Sequence, residues 1–473
     1  MPWRRLLGRI LAADLSANRS DSVHWIGQNT NRGNSTMAFF THPKSKVKPR
    51  TVVVGLDGVP FSLLNDLTSK GRLRNMAGLF QSGYFGKMEV SIPEISSVSW
   101  SSFMTGTNCG RHGIFGFMDL RPGSYDMVFP NFLNLHVPTI WDELGTSHKR
   151  SVVINLPSTY PAREIPGVLI SGFVAIDLKR AVFPASLIPV LRKLEYRIDI
   201  DTSRARKDHE FLIAELDQTL EFREKTVDYL WSSENWDVLM VTITGTDRLN
   251  HYLWNAYEDE NHRYHGAFLD YYEKVDRFVG KIHEKYLALS NGQNRQNSLL
   301  ILSDHGFTGV RSEVYVNRWL QENGFLKFAR PSPESLNDIA QGTKAFALDP
   351  ARIYIHQKGR YPRGEVDSSD VPKVVGDIKK GLLELEMEGN RVMRRVFAKE
   401  EIYDGPLTDQ APDLVCLSNH GFDLKGSIKK EKIFDKTDLS GMHTQDDAFF
   451  YSDRGTACKS IYEVKNIILK TLS

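Results

Sequence analysis

Several short apolar runs along the chain end in polar or acidic residues. Residues 51–58 read TVVVGLDG, residues 236–247 read WDVLMVTITGTD and residues 298–306 read SLLILSDHG. Two further runs, VVINLP at 152–157 and PDLVCLS at 412–418, have the same apolar character. A run that is apolar on both faces and bounded by turn residues is typical of a strand buried in a parallel sheet. We therefore predict buried strands at these five places.

Segments with the apolar spacing of amphipathic helices lie between several of these runs. They occupy residues 61–80, 209–231 and 271–289. Strands that alternate with helices predict an α/β fold, with a doubly wound, mostly parallel sheet and helices on both faces. Residues at about 120–235 and 331–434 do not follow the alternation, and we predict that they form insertions that cap the sheet.

The first 46 residues differ in composition from the rest of the chain. Residues 1–20 are basic and weakly amphipathic, and residues 20–46 are polar and rich in Asn, Ser and Thr. The apolar run near the start is too short for a signal peptide or a membrane-spanning helix. We expect residues 1–46 to be a flexible extension ahead of one folded domain at 47–473. A helix that binds a membrane surface or a partner is the less favoured alternative.

The charge balance favours a protein that acts on small molecules. Lys and Arg total 60, Asp and Glu total 58, and hydrophobic residues make up 41% of the 473 residues. A net charge of +2 gives no reason to expect a nucleic-acid polymer or a membrane as the main partner. The three cysteines are odd in number and far apart, which argues against a disulfide framework. We expect a cytoplasmic location and no transmembrane segment.

Acidic residues at the predicted strand ends occur together with histidines. His251 lies four positions after Asp247, so both side chains share one face if the segment is helical. The candidate metal ligands are Asp57, Asp247, His251, Asp304, His305 and His443, the last in the glycine-bounded loop SGMHTQDD. Three carboxylates and three imidazoles suit two divalent metal ions such as zinc or manganese. Each residue alone is as readily explained as a cap or a turn residue, so their order along the chain carries the interpretation.

A segment rich in hydroxyl groups lies between the first and second of these acids. Residues 91–117 read SIPEISSVSWSSFMTGTNCGRHGIFGF. A serine hydroxyl is a weak nucleophile unless a metal ion or a base lowers its pKa. A helix N-terminus also offers free N–H groups to a phosphate. The segment predicts a nucleophile at the start of a helix, or else only a helix cap and a polar face, and the two interpretations are compatible.

These motifs resemble the type I phosphodiesterase/nucleotide pyrophosphatase branch of the alkaline-phosphatase superfamily, in particular the proteins described as predicted phosphohydrolases or phosphomutases. The strings that carry the resemblance are VVVGLDG, SSVSWSSFMTG with GRHGIFGF, GTDRLNHYLW, ILSDHGF and SGMH. Further matches, in TIWDEL, INLPSTYP, VYVNRWLQENGFL and YIHQKGRYPRGEV, extend it over nearly everything after residue 50. The resemblance implies an alkaline-phosphatase-like fold and a metal-dependent hydrolase of phosphate esters, with diesters favoured, that acts through a phosphoserine at two metal ions, zinc first and manganese as the alternative.

The resemblance also implies roles for individual residues. The nucleophile, which also contacts metal, lies ten positions before Gly106, and this count gives Ser96, with Ser97 as its neighbour. One metal ion is assigned to Asp57, Asp304 and His305, and the other to Asp247, His251 and His443. Nucleotide pyrophosphatases commonly have an Asn where this chain has Phe117, so the phosphate contact must come from elsewhere, and Arg111 is a candidate for substrate binding.

Two other interpretations are compatible with the pattern, and a third is not. A phosphomutase of the same superfamily would carry much the same ligands, and a catalytically inactive protein could use the fold as a binding module. A sulfatase is disfavoured because the C/S-x-P-x-R string is absent.

His262 and His265 form an H-x-x-H pair that fits an exposed helix face better than a third metal site.

Overall fold

The computed structural model describes residues 48–289, 296–436 and 438–472. The predicted N-terminal extension at 1–46 lies outside the described residues. Within the described part of the chain, no helix is long and apolar enough to cross a bilayer.

The strands are short and are spread over the whole described chain. In chain order they are β1 (Thr51–Leu56), β2 (Tyr84–Met88), β3 (Asp119–Leu120), β4 (Met127–Val128), β5 (Ser151–Leu156), β6 (Gly167–Ser171), β7 (Val182–Phe183), β8 (Val238–Ile243), β9 (Ser298–Leu302), β10 (Gly306–Gly309), β11 (Ser312–Tyr315), β12 (Ala345–Leu348), β13 (Arg352–Ile355), β14 (Glu386–Met387), β15 (Asn390–Arg391), β16 (Met393–Ala398), β17 (Leu414–Ser418), β18 (Phe422–Lys425), β19 (Phe434–Asp435), β20 (Gly441–Thr444) and β21 (Ala448–Ser452).

The α-helices include two long ones, α8 and α10, in the middle of the chain. In chain order they are α1 (Phe61–Ser69), α2 (Arg74–Ser82), α3 (Ser96–Thr105), α4 (Cys109–His112), α5 (Ile140–Thr146), α6 (Ile188–Lys193), α7 (Thr202–Ala205), α8 (His209–Ser233), α9 (Gly245–Glu258), α10 (His265–Ala288), α11 (Val316–Glu322), α12 (Val371–Leu383), α13 (Lys399–Ile402) and α14 (Val464–Leu472).

A central sheet of eight strands positions the candidate site. Its order is β2-β21-β9-β1-β8-β5-β6-β7. Strand β1 is parallel to both of its neighbours, with Thr51 opposite Val238 of β8 and Ser298 of β9. The sheet is mostly parallel, and its antiparallel pairs are β2 with β21, β21 with β9, and β6 with β7.

Helices cover both faces of this sheet, as the alternating side chains of β1 show. Val52 and Val54 pack into a core that α1, α2, α8, α9 and α10 complete. Val53 packs into a core on the other face, with Trp100 of α3 and Ile468 of α14. Because both faces are covered, every residue of β1 is buried. The predicted α/β fold with a mostly parallel sheet and helices on both faces is confirmed.

A second core lies in the later half of the chain. It is built around the antiparallel sheet β12-β13-β17-β16, with α11 and α12 packed on it. The strand predicted at 412–418 forms as β17, but it belongs to this sheet and not to the central one. Conversely, β5, β6 and β7 come from the stretch 120–235 that we expected to be an insertion, and they pair in the central sheet.

Candidate metal centre and nucleophile

The topology brings three acidic residues to one edge of the central sheet. Asp57 follows β1, Asp304 follows β9, and Asp247 lies in the first turn of α9 after β8. These three strands are adjacent and parallel, so their carboxyl ends meet at the same edge. Open α/β sheets bind their ligands at this edge.

The first group of candidate ligands consists of Asp57, Asp304 and His305. Their ligand atoms lie within 4.8 Å of one another, and all three residues are buried. His305 Nε2 is 3.7 Å from Asp57 Oδ1 and 3.5 Å from Asp304 Oδ2. The other oxygens accept hydrogen bonds, Asp57 Oδ2 from the Trp100 indole at 2.9 Å and Asp304 Oδ1 from the Gly58 N–H at 3.1 Å. Each carboxylate is therefore oriented by a neutral donor, with one oxygen left for an ion.

The second group consists of Asp247, His251 and His443. Asp247 and His251 share one face of α9, and Asp247 Oδ1 is 3.4 Å from His251 Nε2 and 3.3 Å from His443 Nε2. The sequence pattern had indicated a loop for His443, but the residue lies in β20, opposite Phe307 of β10. Pairing with β10, which directly follows His305, gives this histidine a fixed backbone position.

The two groups adjoin and form one cluster. The rings of His305 and His443 stack with centroids 3.6 Å apart, and His305 Nε2 is 3.9 Å from Asp247 Oδ1. Gly58 lies against both groups with φ of +64°, and a Cβ there would be 3.1 Å from Asp247 Oδ1 and 3.1 Å from His305 Cε1. The structure thus brings together all six candidate ligands.

Backbone carbonyls fix the tautomers of the three histidines. Nδ1 of His251 faces the Gly441 carbonyl at 3.1 Å, Nδ1 of His305 faces Gly306 at 3.0 Å, and Nδ1 of His443 faces Glu94 at 3.0 Å. A carbonyl accepts only from an N–H, so Nδ1 carries the proton and Nε2 presents a lone pair to the cluster. Metal-binding histidines use the same kind of outer hydrogen bond.

The donor atoms at the centre of the cluster fit divalent cations. Nε2 of His251 and Nε2 of His443 are 2.9 Å apart, which needs a proton or a cation near both. Asp247 Oδ1 and Asp304 Oδ2 are buried and have no hydrogen-bond donor among the described residues. Buried polar atoms without partners are costly, and a bound cation removes that cost.

The shifted pKa values of the three carboxyl groups also favour bound cations. Burial and repulsion from Asp247 raise the pKa of Asp57 to about 7. Burial, and then the charge of Asp57, raises the pKa of Asp304 well above its usual range. Burial alone would raise the pKa of Asp247 too, but its interactions with His251, His443 and Arg248 outweigh burial and lower that pKa. Carboxylates crowded in this way take up protons, or cations in their place.

Ser96 is the first residue of α3 and lies at the edge of the cluster. Its side chain is buried, with Oγ 3.3 Å from Asp57 Oδ1 and 3.2 Å from His305 Nε2. The residue before the helix, Ile95, offers no side-chain acceptor to the first turn. The N–H groups of Val98 and Ser99 bond to the Ile95 carbonyl, whereas no bond among the described residues uses those of Ser96 and Ser97, which are available to an anion beside the Ser96 hydroxyl.

The residues considered for substrate binding have other neighbours. Arg111 is half exposed and pairs with Asp404, and none of its described contacts is with the six candidate ligands. Its role in substrate binding stays a prediction. Phe117 packs edge-on against Phe173, with ring centroids 5.5 Å apart.

Arg248 is a residue of the site that sequence reasoning did not identify. Its Nη1 is 2.8 Å from Asp247 Oδ2, and its Nη2 is 2.8 Å from Asp199 Oδ2. The signal in the sequence was its place directly after Asp247 in GTDRLNHYLW. Its partner Asp199, 49 positions earlier, has no sequence signal of its own.

A known protein family matches most of the chain. The family model described as type I phosphodiesterase / nucleotide pyrophosphatase matches residues 51–446. No curated protein sequence matches the chain.

The chain has the same fold as several solved structures, and the matches extend over most of its length. Phosphonoacetate hydrolase from Sinorhizobium meliloti 1021, in complex with phosphonoacetate, is 15% identical with a TM-score of 0.60, and the match covers 90% of this chain and 96% of that one. Murine ectonucleotide pyrophosphatase / phosphodiesterase 5 is 13% identical with a TM-score of 0.52, over 90% and 95% of the two chains. Alkaline phosphatase PafA is 11% identical with a TM-score of 0.51, over 90% and 96%.

Proposed function

The chain belongs to the type I phosphodiesterase / nucleotide pyrophosphatase family, and from that premise we propose that it hydrolyses phosphate esters at a site for two divalent cations, with Ser96 as the nucleophile. Its family and its alkaline-phosphatase-like fold make it a phosphoric ester hydrolase of the alkaline-phosphatase superfamily. The cations, the nucleophile and the phosphoserine intermediate are our proposals.

The observation that carries the proposal is the position of the Ser96 hydroxyl. It lies within 3.3 Å of Asp57 Oδ1 and 3.2 Å of His305 Nε2, two atoms that are themselves candidate ligands. Helix capping does not account for this hydroxyl, because the N-cap position of α3 is held by Ile95 and not by Ser96. Ser96 instead contacts the cluster, which supports its assignment as nucleophile and as a metal contact.

Two sets of residues would hold the cations. Asp57, Asp304 and His305 form one set, and Asp247, His251 and His443 form the other. Bound divalent cations would supply positive charge that lowers the pKa of a hydroxyl group or a water molecule and offsets charge on phosphate oxygens. The mix of carboxylates with three Nε2 atoms favours zinc, with manganese as the alternative.

The residues of the chain then have defined tasks in the reaction. The N–H groups at the start of α3 bind a phosphate oxygen next to Ser96. Ser96 Oγ attacks phosphorus in line and gives up its proton to solvent, so the Oγ–P bond forms as the bond to the departing oxygen breaks, and that oxygen leaves with a proton from solvent. Water next attacks the phosphoserine and breaks the Oγ–P bond, which releases phosphate or a monoester and restores the hydroxyl. Trp100 and Gly58 hold Asp57 and Asp304 in place throughout.

We propose that phosphodiesters are the preferred substrates. A diester carries one negative charge less than a monoester and needs less cationic help from side chains. Arg248, the arginine that contacts the cluster, is already paired with two carboxylates, Asp199 and Asp247. Arg111 is paired with Asp404. Little free positive charge from these side chains is therefore left for a second phosphate charge.

The cytoplasmic location stays a prediction.

The test compares the wild-type protein with Ser96→Ala, each loaded with zinc or manganese. We expect the wild type to hydrolyse bis(p-nitrophenyl) phosphate faster than p-nitrophenyl phosphate, and Ser96→Ala to lower kcat by at least ~10³-fold. Ser101→Ala is the matched control, because that hydroxyl bonds within the same helix to the Ser97 carbonyl. A Ser96→Ala protein as active as the control would remove the nucleophile assignment.

Product analysis separates the proposed hydrolase from a mutase. With a phosphosugar as substrate, we expect release of inorganic phosphate. An isomeric phosphosugar without phosphate release would show that the chain is a phosphomutase. A purified protein with neither bound metal nor metal-stimulated turnover would support the inactive binding module.

A further inference from the structure

Arg248 connects the candidate metal cluster to a part of the chain that holds none of the ligands. The side chain is only 12% exposed. Nη1 donates to Asp247 Oδ2 at 2.8 Å, while Nη2 and Nε donate to the two oxygens of Asp199 at 2.8 and 3.4 Å. The guanidinium thus bridges two carboxylates, which is the fork geometry for which arginine is suited.

Neighbouring residues keep this bridge rigid. The Arg248 guanidinium lies over the Phe173 ring at 4.3 Å. The segment that carries Asp199 is held from α8, where the buried Arg223 donates to the carbonyls of Arg197 and Ile198 at 3.3 and 3.2 Å. A fixed Asp199 leaves Arg248 little freedom, and a fixed Arg248 in turn determines how the Asp247 carboxylate is rotated.

The consequence for Asp247 is an asymmetric carboxylate. Oδ2 is occupied by Arg248, whereas Oδ1 faces the Nε2 atoms of His251 and His443 and has no hydrogen-bond donor among the described residues. We propose that Arg248, held by Asp199, is a positioning residue that makes Asp247 offer a single oxygen, Oδ1, to the cation of the His251–His443 group. This inference rests on the proposed two-cation site.

The same bridge makes the two cation positions unequal in charge. Asp57 and Asp304 are both oriented by neutral N–H donors, so their group keeps two negative charges for its cation. Asp247 is the one carboxylate of the other group, and its ion pair with Arg248 partly neutralises its negative charge. The two cation positions therefore differ in charge. Removal of Arg248 would free negative charge on Asp247, so weaker binding in Arg248→Met can come only from the lost orientation of that carboxylate.

The experiment measures metal content and cobalt absorption spectra on the full-length protein. Wild type, Arg248→Met, Arg248→Lys and Asp199→Asn are loaded with cobalt(II) and titrated with a chelator. The matched control is Arg263→Met, because Arg263 forms an exposed pair with Glu210 away from the cluster. Metal content after buffer exchange gives the stoichiometry, and the absorption per bound cobalt reports the coordination geometry.

We expect the wild type and the control to bind two cobalt ions and to lose them in two steps. Arg248→Met should keep one ion and bind the other about 10–100-fold more weakly, with an altered spectrum for the weaker site. Arg248→Lys should recover part of the affinity, because a lysine can bond to one of the two carboxylates. Asp199→Asn should weaken the same ion by a smaller factor, because the arginine remains but is held less firmly.

Each outcome decides between the proposals. A wild type that binds no cobalt would remove the proposed two-cation function itself. A wild type that binds two ions, with Arg248→Met unchanged in affinity and spectrum, would overturn the positioning role alone. If Arg248→Met does not fold, Asp199→Asn decides, and an unchanged affinity and spectrum in that variant would overturn the inference.

Discussion

Gly58 lies where the cluster leaves no room for a side chain. It directly follows Asp57, adopts φ of +64° and donates its N–H to Asp304 Oδ1. A Cβ at this position would be 3.0 Å from the Phe307 ring, in addition to its close approach to Asp247 and His305. At the scale of single residues, the site depends on the absence of a side chain as much as on the ligands that are present.

We predict that Gly58→Ala costs about 1–2 kcal/mol of unfolding free energy from the left-handed backbone alone. The methyl group should also displace the ligands, weaken metal binding and lower kcat/KM by about 10²-fold. Gly71→Ala is the control, since Gly71 has φ of +72° and a methyl group added there would have no described atom within 4 Å. Denaturant titration of both variants measures the cost of the backbone strain, and metal analysis measures how far the methyl group disturbs the ligands. Equal metal content in the two variants would contradict the prediction.

Helix α3 organises the nucleophile at the scale of secondary structure. Ser96 is its first residue, Trp100 one turn later orients Asp57, and Ser102 further on contacts His112 at 3.1 Å. Ring Nδ1 of His112 accepts the N–H of Ile114, so the ring joins α3 to the turn after α4 while neutral. Burial lowers the pKa of His112 to about 3.

This lowered pKa predicts that the free energy of unfolding depends on pH through His112, which joins α3 to the turn after α4. Below pH 6.5 the unfolded chain takes up a proton at His112 that the folded protein cannot, so stability is full above pH 6.5 and falls towards pH 3. The free energy of unfolding should fall by up to about 1.4 kcal/mol for each pH unit in this range. His112→Gln should therefore lose less stability than wild type between pH 7 and pH 5. Denaturant titration of the metal-free proteins measures this, and identical pH dependence would contradict it.

The candidate ligands connect distant parts of the chain at the scale of the whole molecule. They run from Asp57 after β1 to His443 in β20, and they include residues of α9 and of the segment after β9. Cations bound among them would cross-link four elements that meet only in the folded state. Ligands that bind only the folded state stabilise it by mass action.

We predict that a chelator lowers the stability of the folded protein. At a free metal concentration of 100 times Kd, each bound ion contributes about 2.7 kcal/mol, which is lost on removal. The midpoint of denaturant unfolding should fall on addition of chelator and recover with added zinc. Asp304→Asn should bind less metal and show a smaller shift, because it removes one of the two carboxylates of its group. A midpoint that does not respond to chelator would argue against bound cations in the wild type.

The amino-acid sequence by itself determined the strands β1, β5, β8 and β9 and the helices between them, because burial and amphipathic spacing are local properties. It also indicated the acids at the strand ends. Only the tertiary structure decided which strands are neighbours, that the run at 412–418 joins a second sheet, that His443 lies in a strand and that Asp199 holds Arg248. A local pattern reports that a residue is buried or exposed, whereas its partners are set by packing between segments far apart in the chain.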